Sequence, residues 1–251
     1  MKVYGGSRSD NCYKIKLVAA LLEIQHEWIH VDILEGGTQT PEFLNKNPNG
    51  KIPVVELADG RCLSESNAII NFLASGSALV SSDPYEFAKV QQWQFFEQYS
   101  HEPFIAVARF IAKYMGLPDD RRAEYESKQE GGHKALRIME EQLQQTPYLT
   151  GGQLSTADIS LYAYTHVAGE GGFDLQNYPA VRQWLNLIQS EPKYVAMHSV
   201  AREPRLPTHC GFGVSLAADA AQPPPFQCMI CPKQTEILLS LLENSKLLPK
   251  E

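Results

Sequence analysis

The segment from residue 47 to residue 66 constrains the fold of this chain more than any other. It reads NPNGKIPVV over residues 47–55 and LSES over residues 63–66. Proline cannot donate to a sheet ladder, so Ile52-Pro53 must lie at the start or the edge of a strand. A cis bond here would turn the Ile52 N–H and C=O outward, where an extended peptide can pair with them. Glu65 and Ser66 then open a helix whose N-terminus favours a carboxylate. The segment therefore predicts a site for a small anionic peptide with a free α-amino acid end.

Length and composition narrow the class of protein. The 251 residues suffice for one large domain or two modest ones, and a hydrophobic content of 43% can supply a core. The sequence contains no run of eighteen apolar residues and begins directly with strand-like sequence, so we expect a cytoplasmic protein without a membrane partner. The net charge of −7 and the lack of lysine or arginine clusters disfavour nucleic acid.

The five cysteines are odd in number and irregularly spaced, which favours free thiols in a reducing compartment. Cys228 and Cys231 have the spacing of metal ligands, but a single pair cannot supply the four ligands of a zinc site. We expect no metal site.

Residues 1–76 alternate between strand and helix patterns and predict the order β-α-β-α-β-β-α. The proline opens the third strand, and Asp59-Gly60 forms the hairpin turn between the third and fourth. This order is that of a thioredoxin-like domain. The predicted elements are strands at 2–4, 28–33, 53–57 and 61–63, and helices at 11–23, 41–47 and 65–74.

Residues 83–198 carry helical periodicity without strand signals and predict an all-α bundle. The long periodic stretches cover 84–114, 120–145, 155–168 and 178–190. Residues 199–251 differ, because prolines and small residues interrupt any packing pattern there. We expect an irregular C-terminal extension of loop or disorder, with a candidate helix at 233–248.

The chain resembles a cytosolic glutathione transferase of the bacterial, serine-type group. Three motifs carry the resemblance in the right order: SDNCYKI at residues 9–15, the NPNGKIP and ES segments, and FEQYSHEP followed by IAVARF between residues 96 and 110. The resemblance covers residues 1–198 and implies the transferase fold, an α/β thioredoxin-like domain followed by an all-α domain. It also implies glutathione as cosubstrate, no prosthetic group and a homodimer.

The resemblance implies that a side chain at the start of the first helix stabilises the glutathione thiolate. A free thiol has a pKa of about 8.5 and is a weak nucleophile until it is ionised. Ser9 is the family's catalytic position, although a serine there can also serve only as a helix cap. Asn11 is the rival donor to the sulfur. Cys12 is a third alternative, a redox cysteine that forms a mixed disulfide.

The remaining glutathione contacts follow from the same resemblance. The cysteinyl part would pair with the main chain of Ile52, with Pro53 setting the geometry, and the γ-glutamyl end would bind Glu65 and Ser66. Gln39 and Lys51 are the candidates for the glycyl carboxylate. The electrophile would lie between the domains, with Tyr99, Phe104 and Arg109 as candidate liners, and Asp158 would be a structural capping residue.

Three functions remain open at this stage. The first is conjugation of the glutathione thiolate to a hydrophobic electrophile. The second is glutathione-dependent reduction of a disulfide or a peroxide, which the same thiolate site permits. The third is a non-catalytic binding or scaffold module with a transferase-like fold.

Overall fold

Short β-branched and apolar runs form a four-stranded mixed sheet in the N-terminal domain. The computed structural model describes residues 1–197. Its strands are β1 (Lys2–Gly5), β2 (Glu27–His30), β3 (Val54–Glu56) and β4 (Cys62–Ser64), arranged in the order β2-β1-β3-β4. β1 is parallel to β2 and antiparallel to β3, and β3 is antiparallel to β4. The predicted thioredoxin-like order is confirmed.

Three helices complete this domain: α1 (Asp10–Leu21), α2 (Pro41–Lys46) and α3 (Ser66–Leu73). The hydroxyl of Ser9 caps α1 by accepting the Cys12 N–H, and Thr40 caps α2 in the same way.

The strand predicted at 28–33 ends earlier, at His30. Asp32 explains the difference, because its carboxylate accepts the N–H groups of Leu34 and Glu35 and turns the chain out of the sheet.

The C-terminal domain is all-α, as the periodicity predicted. Its helices are α4 (Pro84–Phe96), α5 (Glu102–Arg109), α6 (Arg122–Leu143), α7 (Thr156–Thr165) and α8 (Pro179–Gln189). The stretch predicted as one helix at 84–114 contains two π-helical turns, Glu97–His101 and Phe110–Tyr114, which flank α5. Such turns occur often at functional sites. Within residues 1–197, no helix is both long and apolar enough to cross a membrane.

The predictions for the extension at 199–251, its candidate helix at 233–248 and the Cys228–Cys231 pair lie outside the described residues.

The core is continuous between the two domains. Helix α1 packs against α3 on one side and α7 on the other, and its Ile15, Leu17 and Val18 are fully buried. Tyr162 of α7 and Trp184 of α8 fill the same apolar cluster. The N-terminal turn of α1 is therefore fixed against the helical domain, and that turn carries the predicted catalytic residues.

Asp158 holds the start of α7 together, as the capping pattern predicted. One carboxylate oxygen accepts the N–H and hydroxyl of Ser155 at 2.9 and 2.7 Å. The other accepts the Leu149 N–H at 2.8 Å and the Trp184 Nε1–H at 2.9 Å. The side chain is fully buried, so its removal leaves several buried donors without an acceptor.

We expect Asp158→Ala to lower the free energy of unfolding by about 3 kcal/mol or more, because each orphaned buried donor costs about 1–3 kcal/mol. Urea denaturation measures the change. Asp83→Ala is the matched control, since Asp83 caps α4 at the surface by accepting the Tyr85 and Glu86 N–H groups. That loss should cost only about 1 kcal/mol. Equal losses in the two variants would contradict the structural role given to Asp158.

Candidate functional site

A polar cleft lies where the sheet, the start of α3 and the π turn before α5 meet. Its volume is about 150 Å³. Backbone and side-chain groups of both domains line it. The lining residues are Asn11, Asn47, Lys51, Ile52, Pro53, Glu65, Ser66, Gln98 and Glu102.

The cleft brings together most of the residues that the sequence predicted for glutathione. Its wall contains Asn11 of α1, Lys51 and the Ile52-Pro53 pair before β3, and Glu65-Ser66 at the start of α3. The Ile52-Pro53 peptide bond is cis. Two predicted residues, Ser9 and Gln39, are outside the set that lines the cleft.

A hydrogen-bonded chain orients Asn11. The Ser66 hydroxyl donates to Asn11 Oδ1 at 2.9 Å, and the buried ammonium of Lys14 donates to the Ser66 Oγ at 3.2 Å. Because the oxygen of the Asn11 carboxamide is engaged, the nitrogen is the end that can donate to a ligand. The same contacts place Asn11 next to the α3 N-terminus, so the candidate sulfur donor and the predicted site for the γ-glutamyl end belong to one hydrogen-bonded chain.

Ser9 has a different environment. Its Oγ accepts the Cys12 N–H at 3.3 Å as the cap of α1. A hydroxyl that accepts can still donate its own proton, so this contact alone does not decide between Ser9 and Asn11.

Cys12 is 1% exposed, and burial raises its thiol pKa to about 11. A buried neutral thiol lacks the thiolate that a redox cysteine needs. The redox alternative for Cys12 is therefore disfavoured.

Glu65 adopts a backbone conformation that is unusual for a residue with a side chain. Its φ is +68° and its ψ is +111°, at the junction between β4 and α3. Such a conformation costs about 1–3 kcal/mol and is found mostly at binding and catalytic sites. The Glu65 side chain is exposed at the cleft, so the strained residue is also a cleft residue.

Side chains of the helical domain also line the cleft, namely Gln98 and Glu102. The neighbouring Glu97 is fully buried and accepts a hydrogen bond from Gln98. Burial raises the pKa of Glu102, and the nearby Glu97 raises it further. The Lys51 ammonium lowers the Glu102 pKa, and a ligand ammonium bound beside Glu102 would likewise offset the cost of keeping that carboxylate charged.

The NPNGK loop builds another part of the cleft wall. The Asn47 side chain accepts the Asn49 N–H at 3.1 Å and donates to the Lys51 carbonyl at 2.7 Å, which fixes the backbone beside Lys51. Gly50 has a φ of +61°, and a Cβ there would approach Gln39 Nε2 to 2.8 Å. A side chain at this position would strain the backbone, and Gln39 thus lies against the loop that carries Lys51.

The three predicted liners of the electrophile pocket are outside the lining of this cleft. Tyr99 is 81% exposed. Phe104 packs toward α6, since a Cβ at Gly131 would meet its ring at 2.3 Å. Arg109 is 2% exposed and is ion-paired with Asp10 and Glu170. The composition of the electrophile site stays a prediction.

Sequence reasoning missed four residues that shape the cleft: Asn47, Gln98 and Glu102 in its wall, and Lys14 beneath it. Two of them carried a usable signal, because Gln98 and Glu102 are four residues apart and share one helix face. Lys14 gave none, since a lysine among apolar residues is usually a solvated surface residue. In the described part of the chain, no group of three or more His, Cys, Asp or Glu could hold a metal ion.

Comparison with known proteins identifies the family. The profile of the glutathione S-transferase N-terminal domain matches residues 1–75, and that of the glutathione S-transferase C-terminal domain matches residues 97–192. The chain belongs to the glutathione S-transferase family. Glutathione is the substrate or ligand of this enzyme family, and the predicted resemblance to a bacterial-type glutathione transferase is confirmed.

Individual relatives agree with this assignment. The crystal structure of a glutathione S-transferase from Pseudomonas fluorescens Pf-5 is 62% identical, with a TM-score of 0.78, and the match covers 79% of this chain and 98% of that one. The disulfide-bond oxidoreductase YfcG of Escherichia coli K12 is 31% identical over 189 residues, 72% of this chain and 87% of YfcG. The glutathione transferase URE2P6 of Phanerochaete chrysosporium, solved with oxidised glutathione, is 25% identical with a TM-score of 0.70 over 76% of this chain and 91% of that one.

The strain at Glu65 generates a prediction that separates stability from binding. We expect Glu65→Gly to raise the free energy of unfolding by about 1 kcal/mol, because glycine tolerates a positive φ. The same variant should lose most of its affinity for glutathione, as measured by calorimetry. Glu65→Gln is the control: it keeps the strained backbone and removes only the charge, so it should weaken binding without added stability. A less stable Glu65→Gly variant would contradict this interpretation.

Proposed function

We propose that this protein binds glutathione in the cleft between its two domains and transfers the glutathione thiolate to a hydrophobic electrophile. The observation that carries the proposal is the convergence of Asn11, the Ile52-Pro53 segment and the Glu65-Ser66 helix start on one small polar cleft. A non-catalytic module has no need of this combination.

The chemistry of the cleft matches the two ends of glutathione. The γ-glutamyl carboxylate would bind at Ser66 and the N-terminus of α3, where N–H groups and the helix dipole favour an anion. The γ-glutamyl ammonium would face the acidic side chains of Glu65 and Glu102. The glycyl carboxylate would extend toward Lys51, and the main chain of Ile52 would pair with the cysteinyl residue.

The sulfur would then lie at the N-terminal turn of α1. We propose Asn11 as its principal donor, because Asn11 lines the cleft and its carboxamide oxygen is already engaged by Ser66. Ser9 is the alternative donor. The partial positive charge of the helix N-terminus lowers the thiol pKa together with the donor. The thiol proton leaves to solvent, the thiolate sulfur attacks the electrophilic carbon, and the new C–S bond forms as the leaving group departs with the bonding electrons.

Asn11→Ala and Ser9→Ala separate the two candidates. We expect Asn11→Ala to lower kcat/KM for an electrophilic nitroarene by about 100-fold, the typical cost of losing a donor to a developing anion. Ser9→Ala should stay close to wild-type activity and lose about 1 kcal/mol of stability through its cap. The reverse pattern would assign the sulfur to Ser9, and two unaffected variants would overturn the proposed transferase mechanism.

A second candidate function has specific support. The relative named a disulfide-bond oxidoreductase matches over 87% of its own length, and a thiolate attacks a disulfide sulfur as readily as a carbon. In that reaction the glutathione thiolate forms a mixed disulfide, which a second glutathione resolves to oxidised glutathione and the reduced product thiols.

One set of assays distinguishes the two activities. The purified full chain is given a nitroarene, a hydroperoxide and hydroxyethyl disulfide, each with glutathione. Activity with the nitroarene supports the transferase. Turnover of only the last two would sink the conjugation proposal and support the reductase. Failure to bind a glutathione matrix, with no activity in any assay, would favour the scaffold alternative.

We also propose that the active form is a cytoplasmic homodimer. Two large aromatic side chains near the junction of the two domains are exposed: Phe72 is 49% exposed and Phe95 is 61% exposed. They are the sequence neighbours of Asn71 and Gln94, whose side-chain amides pair with each other between α3 and α4. Burial of such rings against a second copy would be favourable. The cytoplasm suits the free thiols Cys12 and Cys62.

Sedimentation of Phe95→Glu tests the dimer, because a charge at a buried interface should give a monomer. Ile138→Glu on α6, where Ile138 is 37% exposed, introduces the same charge elsewhere and should leave the mass unchanged. A monomeric wild-type protein would contradict the proposed dimer without affecting the proposed chemistry.

A further inference from the structure

Arg109 connects the helical domain to the residue that lies between the two candidate sulfur donors. Its Nη1 donates to Asp10 Oδ2 at 2.8 Å, and its Nε donates to Glu170 Oε2 at 2.7 Å. Asp10 is the first residue of α1 and separates Ser9 from Asn11 in the chain. The guanidinium and the Asp10 carboxylate are both nearly excluded from solvent, with side-chain exposures of 3% and 8%.

This ion pair is unusual for its position. An acidic residue is common in the first turn of a helix, but it normally faces solvent. The Asp10 carboxylate is buried, and its Oδ1 has no hydrogen-bond partner within the described residues. Burial raises the pKa of Asp10 to about 7, although Arg109 and Lys14 both lower it. Arg109 is the cation in direct contact with a charge that would otherwise be costly to bury.

Several other charged and titratable groups face the pair. From α1, Lys14 and Cys12 interact with Asp10. In α7, the Asp10 charge raises the pKa of Tyr164. At the end of the same helix, the Arg109 charge lowers the pKa of His166. From the π turn after α5, the Tyr114 ring lies 5.2 Å from the guanidinium carbon. Glu170 is shared with Lys113, whose Nζ lies 3.2 Å from its other oxygen.

We propose that Arg109 is a positioning residue that sets the ionisation of bound glutathione through Asp10. It fixes the first turn of α1 against the helical domain, and its cation balances the buried Asp10 carboxyl group, which lies between the two candidate sulfur donors in the chain. This inference rests on the proposed binding of glutathione with its sulfur at the N-terminus of α1. It gives Arg109 a role behind the site, whereas the sequence predicted a direct contact with the electrophile.

The physical reason is the sign of the local field. The N-terminus of α1 stabilises a thiolate through its positive end. Because the pKa of Asp10 is about 7, its carboxyl group is only partly ionised near neutral pH and opposes that field weakly, whereas Arg109 is fully charged. Without Arg109, Asp10 keeps its proton and the turn loses a net positive charge, so the thiol pKa should rise. Removal of the Asp10 charge alone should not raise it.

The test is the pKa of the glutathione thiol bound to the full chain, followed by thiolate absorbance in the ultraviolet as the pH is raised. We expect Arg109→Met to raise this pKa by about one unit, a typical shift when one neighbouring charge is changed. Asp10→Asn keeps an oxygen acceptor for Arg109 and removes the charge, so the thiol pKa should stay at the wild-type value or fall. At a fixed pH below the pKa, a rise of one unit in the thiol pKa lowers the fraction of thiolate about tenfold.

Lys113→Met is the matched control, because Lys113 shares Glu170 with Arg109 and its ammonium pairs with Glu170 instead of with Asp10. It should leave the bound thiol pKa unchanged. If Arg109→Met does not fold, Arg109→Lys is measured instead, and a smaller rise of the same sign is expected. Circular dichroism and calorimetry of glutathione binding accompany each variant.

The outcomes separate this inference from the function on which it rests. Wild-type protein that neither binds glutathione nor lowers its thiol pKa would overturn the proposed function. If the wild-type protein binds glutathione and lowers its thiol pKa, and the Arg109 variants bind it with the same thiol pKa, then Arg109 serves only as a partner in a structural ion pair. A rise in Asp10→Asn equal to that in Arg109→Met would also overturn the inference.

Discussion

The fold around the cleft depends on one buried ion pair, Lys14 with Glu97. Both side chains are fully excluded from solvent, and the Lys14 Nζ lies 3.1 Å from a Glu97 carboxylate oxygen. The same ammonium donates to Ser66 and Asn67 at 3.2 Å. A buried charge is tolerated only when it is paired and hydrogen-bonded. The structure therefore requires three segments to meet at Lys14: α1, α3 and the π turn at Glu97–His101.

This requirement links packing to the site. Lys14 is one turn along α1 from Asn11, and Ser66 bonds to both of them. Asn67 extends the network to Glu97 at 2.9 Å. The two helix starts that would receive the peptide are thus fixed relative to each other by buried polar contacts. Those contacts have defined geometry, whereas apolar packing alone allows several arrangements.

The sequence predicted the fold well because its local signals agree with one another. The proline before β3 and the Asp158 capping pattern act through neighbouring residues, so one segment is enough to recognise them. The strand that ends at His30 was predicted too long because Asp32 bonds backbone groups further along the chain. The π turns around α5 were missed, since nothing in the residue types near Glu97 departs from helical periodicity.

The candidate site was predictable only where a motif supplied its residues. Ile52, Glu65 and Ser66 line the cleft as the resemblance implied. Arg109 was predicted as a candidate liner of the electrophile pocket from its place on the first long helix, but its ion pair with Asp10, 99 residues away in the chain, could not be predicted from that place. Contacts between distant residues follow from the packing of whole helices, which a single sequence does not specify.

We expect glutathione to bind with its α-amino acid end at Glu65 and Ser66 and its sulfur at Asn11. A crystal structure of the glutathione complex would show both positions. The sulfur atom should lie within about 3.5 Å of the Asn11 side-chain nitrogen, the distance of a hydrogen bond to a thiolate. A γ-glutamyl group bound away from the start of α3, or a sulfur held only by other residues, would contradict this expectation.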